Sequence, residues 1–430
     1  MNRRLFLRAL SASALGIAGG CDFSLEEGLF NPCLTSPVPK RLLDHDLVQA
    51  SWLGVDPSKI WDGHVHIAGV GDGNTGVWIT PRMKSPFHPW QNLQRRFYLN
   101  ASCTEREGSV DADFVARLLR CLDAFPQGAK AMLLAFDFYH DEQGARREDL
   151  SSFFVPNYYA ADLAQRYPDR FEWICSIHPY RADAIDQLDW SVRHGARAVK
   201  WLPSAMGMDP ASPKCDRFYQ ALARFNLPLL THTGEEQAVA SGATAEFNNP
   251  LRLRRALDQG VRVIVAHCAS LGENIDTDHG PNGPPRESFE LFERLMNEAR
   301  YENQLFGEIS ALIQANREES VVAALIRRVE WHPRLINGSD YPLPGVIPLV
   351  SPRRFVQQQF LTDAQAQVLS EIRRYNPLLF DFVLKRSLVS GGQRFSPVVF
   401  ETRRVFELKS STRVSHSRLQ SSGIAQMSQK

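Results

Sequence analysis

The 430-residue sequence has almost no excess of either charge, because 49 lysines and arginines stand against 48 aspartates and glutamates, a formal net charge of +1. This balance supplies no chain-wide field to attract nucleic acid or an anionic membrane surface. The sequence also lacks any apolar run of the roughly 18 residues that a membrane-spanning helix needs. Hydrophobic residues make up 43% of the chain and charged residues 23%, which predicts a globular protein with a sizeable core.

The seven cysteines include no pair with C-x-x-C spacing, which argues against a cysteine zinc cage. A chain of this length does not need disulfides to stabilise its core, although they would be permitted outside the cytoplasm. Apart from Cys21, we expect most cysteines to be small buried hydrophobic residues. They are Cys33, Cys103, Cys121, Cys175, Cys215 and Cys268.

The first 21 residues are typical of an export signal. Arg3 and Arg4 precede a weakly apolar segment, a pattern that resembles a twin-arginine signal, with a frayed basic terminus as the alternative. Residues 18–21 resemble a lipoprotein cleavage box, although Ala18 stands where leucine is usual, so Cys21 is a candidate for lipidation. We therefore predict a periplasmic or cell-envelope protein that contacts a membrane only through such a lipid.

From residue 60 onward, short apolar runs alternate with amphipathic stretches, which is typical of a parallel sheet covered on both faces. Eight such β-α units predict a single (β/α)8 TIM barrel, an α/β fold. The connection after the first run, residues 68–110, is unusually long and is expected to form a lid. The predicted segments are an export signal (1–21), an N-terminal extension (22–58), the barrel (59–390) and a C-terminal extension (391–430) that is disordered from about Ser410. The eight runs are 60–67, 129–138, 171–179, 196–203, 227–233, 261–268, 305–312 and 334–342.

Residues able to bind metal or carry protons fall at the ends of these runs, where the side chains of a barrel converge on one mouth. His64 and His66 flank Val65, so strand alternation sends both imidazoles to the same side. Strand histidines satisfied by hydrogen bonds are the alternative for this pair alone. The recurrence of such residues favours a metal site; the others are Lys200, His232, His267 and Asp340.

The phrases DGHVH, GARAVKWLP, PLLTHTGE, VIVAHC, EIS, NGSDYP and YNPLLFDFVLKR resemble the amidohydrolase superfamily, in the branch of aminocarboxymuconate-semialdehyde decarboxylase and related barrel hydrolases. The resemblance covers about residues 60–388. It implies that His64, His66, His232 and Asp340 hold one metal and that His267 lies beside the reacting group.

This ligand set leaves a divalent metal with a position for water, whose pKa the metal lowers. Asp340 could then accept the proton of the water, and His267 could polarise a carbonyl. We predict one divalent metal, zinc, although ligand types alone do not separate zinc from manganese or iron. A second metal is the alternative if Lys200 is carbamylated, in which case His267 would also be a ligand. Asp62 and Glu308 are candidates for fixing the histidine tautomers.

Three further residues are candidates for substrate contacts: His178, Arg82 and His88. His178 ends the third run, where a structural rim histidine is the alternative. Arg82 and His88 lie in the long connection, where solvated loop residues are the alternative.

The sequence thus predicts a metal-dependent hydrolase that attacks a carbonyl ester, lactone or amide with metal-activated water. Its partner is a small-molecule substrate, not nucleic acid. Non-oxidative decarboxylation on the same scaffold is the first alternative. A non-catalytic binding protein of the envelope is the second, because fold does not guarantee function.

Overall fold

The computed structural model describes residues 28–407 except 238, 240 and 241. The predicted export signal, Cys21 and the predicted disordered end of the chain lie outside these residues. Within the described part of the chain, no helix combines the length and the apolar character needed to cross a membrane.

The eight apolar runs form parallel strands that close into a barrel. Strands β1 to β3 make one sheet and β4 to β8 another, each with its strands in sequence order. Parallel bridges from Cys175 to Val199 and from Val65 to Tyr341 join the two sheets at both edges. The ring confirms the predicted (β/α)8 barrel. Its strands are β1 (Trp61–His66), β2 (Lys130–Leu134), β3 (Phe171–Ile174), β4 (Val199–Trp201), β5 (Leu229–His232), β6 (Val263–Ala266), β7 (Leu305–Glu308) and β8 (Leu335–Ile336).

The amphipathic stretches between the strands form helices. Gly195, two residues past the end of the helix Ala184–Arg193, has φ +85°, a conformation that glycine adopts without strain. The described helices are α1 (Lys40–Leu43), α2 (Asp46–Trp52), α3 (Pro89–Ala101), α4 (Val110–Leu122), α5 (Asn157–Arg166), α6 (Ala184–Arg193), α7 (Pro203–Met206), α8 (Asp216–Phe225), α9 (Arg254–Asp258), α10 (Ser288–Met296), α11 (Glu319–Arg327), α12 (Pro352–Gln357), α13 (Asp363–Tyr375), α14 (Pro377–Ser387) and α15 (Arg403–Phe406).

The barrel interior has an apolar floor beneath a polar mouth. Leu230 on β5 and Ile264 on β6 belong to an apolar cluster that Phe406 of α15 joins. Because strand side chains alternate, Leu230 and His232 point to the same side, as do Ala198 and Lys200. The polar residues therefore stand one layer above the apolar cluster, toward the carboxyl ends of the strands.

The long connection after β1 is ordered by secondary structure of its own. It contains helix α3 and a two-residue strand, Trp78–Ile79, which pairs with Phe153–Phe154. A disulfide joins Cys103, just past α3, to Cys33, and Asn100 exchanges hydrogen bonds with the backbone of Asn31. The other four described cysteines are buried thiols, as predicted. The N-terminal segment thus fixes the end of α3.

Candidate metal centre

Two histidines of β1 and one aspartate after β8 bring their ligand atoms together. Asp340 Oδ1 lies 3.1 Å from His66 Nε2 and 3.5 Å from His64 Nε2. His64 and Asp340 are buried, whereas a quarter of the His66 side chain is exposed. The three residues form a group that could hold a metal ion, and they are three of the four ligands expected from the sequence.

The fourth expected ligand, His232, ends β5 and is 4% exposed. Its Nε2 atom is buried and has no hydrogen-bond partner among the described residues; the nearest carboxylate oxygen, on Glu236, is 3.4 Å away. A buried ring nitrogen without a hydrogen bond normally costs folding free energy. A bound cation would satisfy it.

His267 lies directly after β6 with its ring against the other histidines. Its ring centroid is 5.2 Å from that of His64 and 5.1 Å from that of His232. Its Nδ1 atom lies 2.8 Å from the Ser310 hydroxyl and 3.2 Å from the Ser310 carbonyl oxygen. These contacts favour a proton on Nδ1 and leave Nε2 as the acceptor.

Glu308, at the end of β7, orients His64 from the other side of the ring. Its carboxylate oxygen Oε2 lies 3.0 Å from His64 Nδ1 and accepts a 2.6 Å hydrogen bond from Ser310 Oγ. The proton of His64 is thereby held on Nδ1, and Nε2 is left with a lone pair facing Asp340. Gly338 permits this packing, because a Cβ there would stand 2.4 Å from Glu308 Oε1 and 2.6 Å from His64 Cβ.

The loop after β8 is tied to β1 by backbone bonds. Asp62 accepts hydrogen bonds from the backbone of Ser339 at 2.7 Å and of His64 at 3.2 Å. The Asp340 backbone donates to the His64 carbonyl oxygen at 2.8 Å. Asp340 and His267 have φ values of +60° and +58°, strained conformations that occur preferentially at functional sites.

Lys200 on β4 is buried, and its Nζ atom lies 3.4 Å from His64 Nε2. Burial lowers the pKa of Lys200 to about 8, although the carboxylates of Asp340 and Glu308 act in the opposite direction. Lys200 therefore belongs to the same cluster as the expected ligands.

Burial keeps the three deepest histidines neutral. It lowers the pKa of His64 and of His267 well below the ordinary value, and it lowers that of His232 as well. Burial alone would raise the pKa of the Asp340 carboxyl, but the hydrogen bond from His66 and the neighbouring cationic groups outweigh it, so the pKa is lowered. His64, His232 and His267 thus present neutral imidazoles near the Asp340 carboxylate, the states in which these groups bind metals.

Helix α3 of the long connection packs on the loop after β8, where Phe97 and Ala101 share an apolar cluster with Val346. Burial raises the pKa of Tyr98, and the charges of Glu236 and Asp340 add to the increase. Gln94, one turn earlier, donates a 2.8 Å hydrogen bond to the Tyr98 hydroxyl oxygen. A lid role for this helix stays a prediction.

The three predicted substrate contacts take no part in the hydrogen bonds described above for the candidate metal centre. His178 is fully buried beside His140, with ring centroids 4.8 Å apart, and its Nδ1 accepts from the Tyr180 backbone. Arg82 is exposed, and His88 precedes the first residue of α3. Their contact with a substrate stays a prediction.

Sequence reasoning did not assign a role to Ser310, Glu236, Tyr98 or Arg317. For Ser310 a signal was present, because the EIS phrase puts Glu308 and Ser310 two residues apart and so on one side of a strand. The other three lie on loops or on α3, and the spacing of apolar and polar residues along the sequence does not indicate their positions.

The cluster fits a divalent cation. His64, His66 and Asp340 form one group whose ligand atoms lie within 4.8 Å of one another, and His64, His267 and Glu308 form another. His232 Nε2 is buried without a hydrogen bond among the described residues, and imidazole nitrogens with a carboxylate are typical of zinc sites that keep a position open. The same donors also suit manganese and iron.

Comparison with known proteins relates the chain to one family, since the family model described as Amidohydrolase matches residues 62–379. No curated protein matches the chain. Among solved structures, an uncharacterized TIM-barrel protein from Bordetella bronchiseptica is 15% identical with a TM-score of 0.46, over 72% of this chain and 94% of that one. A 5-carboxyvanillate decarboxylase from Novosphingobium aromaticivorans is 14% identical with a TM-score of 0.41, over 74% and 94%. A putative 2-pyrone-4,6-dicarboxylic acid hydrolase from Pseudomonas putida is 16% identical with a TM-score of 0.39, over 75% and 97%.

Proposed function

The chain belongs to the amidohydrolase family, and on that premise we propose that it is a metal-dependent hydrolase of a carbonyl ester, lactone or amide. The observation that carries the proposal is the convergence of His64, His66 and Asp340, with His232 Nε2 buried and lacking a hydrogen bond among the described residues. Bound there, a divalent cation supplies Lewis acidity, which lowers the pKa of water and polarises a carbonyl oxygen.

In this proposal, each residue of the cluster has a separate task. His64, His66 and His232 bind the cation through ring nitrogens, and Glu308 holds the His64 ring in the productive tautomer. Asp340 Oδ1, the fourth ligand, accepts a proton from water and passes it to the leaving group. His267 Nε2, the acceptor atom of that ring, lies beside the reacting group and polarises the carbonyl oxygen of the substrate only once it has taken up a proton. Helix α3, which packs on the loop after β8, limits the entry of bulk water.

We propose one cation per chain, zinc, and two if Lys200 is carbamylated. A carbamate requires a neutral amine, and burial favours that form because it lowers the pKa of Lys200 to about 8. The hydrogen bond of His267 Nδ1 to Ser310 leaves its Nε2 available to a second cation, so the measured metal content decides between one cation and two.

Non-oxidative decarboxylation is the second candidate reaction. The observation in its favour is the position of Lys200, whose Nζ atom lies 3.4 Å from His64 Nε2. An ammonium there could bind a substrate carboxylate beside the cation. In such a reaction a carboxylate would leave as carbon dioxide, and a protonated side chain would replace it with a proton.

We further propose that the protein is exported by the twin-arginine route, with a lipid on Cys21 as an optional anchor. The disulfide between Cys33 and Cys103 supports an oxidising compartment. Export of a folded chain also suits a metalloenzyme that acquires its cation in the cytoplasm.

Elemental analysis of the purified protein, followed by a panel of lactones, esters, amides and aromatic carboxylates, tests the reaction. The hydrolase proposal expects a stoichiometric divalent cation and incorporation of oxygen from ¹⁸O-labelled water into a product carboxylate. Release of carbon dioxide without such incorporation would instead identify a decarboxylase. If the protein binds no cation and turns over no compound of the panel, the result would favour the alternative of a non-catalytic binding protein of the envelope.

A further inference from the structure

Arg317 is a buried cation without a partner in the described part of the chain. It lies on the loop after β7, and 6% of the residue is exposed. Its Nε atom is buried without a hydrogen bond, and no ion pair or hydrogen bond joins its guanidinium to any residue that the structure describes.

The loop that carries Arg317 borders the candidate metal centre. Ser310 of this loop lies 2.8 Å from His267 Nδ1, and Asn316, the neighbour of Arg317, donates to Gln237 at 3.0 Å, next to the Glu236 that lies 3.4 Å from His232. The charge of Arg317 contributes to lowering the pKa of His232 and of His267. Burial lowers the pKa of Arg317 itself to about 10, whereas the carboxylates of Asp340 and Glu236 act in the opposite direction. The side chain is therefore cationic at neutral pH, and it forms no ion pair with either of these carboxylates.

The neighbouring Arg354 shows how an arginine stabilises this same loop. Its guanidinium donates to the carbonyl oxygen of Gln314 at 2.9 Å and to that of Arg317. The loop is thus held by Arg354 and by backbone bonds, and the Arg317 side chain contributes none of these contacts. Since a buried charge without a partner costs folding free energy, the structure points to a ligand that supplies the missing acceptor.

We propose that Arg317 binds a carboxylate of the substrate beside the reacting carbonyl group, so that the enzyme acts on small carboxylate-bearing esters, lactones or amides. The reaction named here depends on the proposed function, whereas the binding of a carboxylate does not. A guanidinium matches a carboxylate with two parallel hydrogen bonds. A monoanion suits the site better than a phosphate dianion, because Glu236 and Asp340 already place negative charge nearby.

Calorimetric titration of the metal-loaded protein with acetate, benzoate and glutarate, each against its uncharged amide, tests the proposal. At least one carboxylate should bind the unaltered protein more tightly than its amide. In Arg317→Met that affinity should fall roughly 10- to 100-fold, as expected for a charge-assisted hydrogen-bonded pair, while amide binding stays the same. Arg317→Lys should be intermediate, because lysine keeps the charge but loses the planar pair of donors.

Arg286→Met is the matched control, because Arg286 is exposed on the short strand Pro285–Glu287 and its loss changes the net charge equally. This variant should bind the carboxylates as the unaltered protein does. Elemental analysis and circular dichroism of each variant separate loss of the anion site from loss of the cation or of the fold. If Arg317→Met does not fold, Arg317→Lys with its smaller loss carries the comparison.

Equal carboxylate affinity in Arg317→Met and in the unaltered protein, at equal metal content, would overturn the inference and assign any binding to the cation. The absence of any preference for carboxylate over amide would also overturn it. An absence of turnover on the substrate panel would contradict the proposed function but not the carboxylate site. Loss of carboxylate binding in Arg317→Met would support that site even in the absence of turnover.

Discussion

Replacement of Glu308 by glutamine should weaken metal binding while it stabilises the metal-free protein at alkaline pH. The variant keeps the volume of a fully buried side chain and changes only the carboxylate that meets His64 Nδ1 at 3.0 Å. A glutamine amide can donate to Nδ1, which would move the ring proton of His64 to Nε2 and remove the lone pair that faces the cation. Loss of such an orienting carboxylate typically lowers metal affinity about 10- to 100-fold.

The stability of the metal-free protein should change in the opposite sense. Burial raises the pKa of Glu308 from 4.5 to about 7, so between these values the folded state binds more protons than the unfolded state. Its contribution to stability is therefore complete below pH 4.5 and is lost as the pH rises through about 7. Since one pKa unit corresponds to about 1.4 kcal/mol, the loss at higher pH is roughly 3 kcal/mol. Glu308→Gln should abolish this pH dependence.

Zinc affinity measured by chelator competition, and urea unfolding of the chelated protein at pH 5 and pH 8, give the two readouts. Glu302→Gln, a change of an exposed carboxylate on the loop before β7, should leave both unchanged. Unaltered zinc affinity in Glu308→Gln, or a metal-free variant that is less stable than the parent at pH 8, would refute the reasoning.

Three further changes test the site. His232→Ala should lower metal content and activity without unfolding the barrel, since a side chain at a strand end contributes little core packing; full activity with full metal content would contradict its role. Gly338→Ala should destabilise the protein by about 1–3 kcal/mol in urea unfolding, because its Cβ would stand 2.4 Å from Glu308 Oε1; a wild-type midpoint would contradict the close approach. Lys200→Met should retain one metal by elemental analysis, whereas a fall from two to one or none, restored by short carboxylates, would indicate a carbamate.

The barrel and most of its mouth could be predicted from the sequence because both follow from short-range periodicity. Alternation along a strand places His64 and His66 on one side of β1. It also places Lys200 on the same side as Ala198, and His232 on the same side as Leu230. The strands are shorter than the predicted runs, however. Asp340 lies four residues beyond the end of β8, in a left-handed backbone conformation that periodicity does not reveal.

What the sequence did not predict depends on contacts between distant segments. The disulfide between Cys33 and Cys103 closes over 70 residues, and no spacing rule distinguishes that pair from the four buried thiols. Helix α3 packs on the loop after β8 through Phe97 and Ala101, and Arg354 holds the loop that carries Arg317. Such placements are set by tertiary packing rather than by local pattern.

Three residues whose folded conformation or environment costs free energy lie in one part of the molecule. Asp340 has a positive φ value, His232 Nε2 is buried without a hydrogen bond from the described residues, and Arg317 is a buried cation. By contrast Lys385, equally buried, donates to the Gly338 carbonyl oxygen at 2.6 Å and to Asp381 at 2.9 Å. A sequence selected for stability alone would not retain three costly features around a single cluster of histidines. Their common location at the carboxyl ends of the strands is what a barrel enzyme requires, because a cation and an anionic substrate would satisfy the groups that the protein leaves without partners.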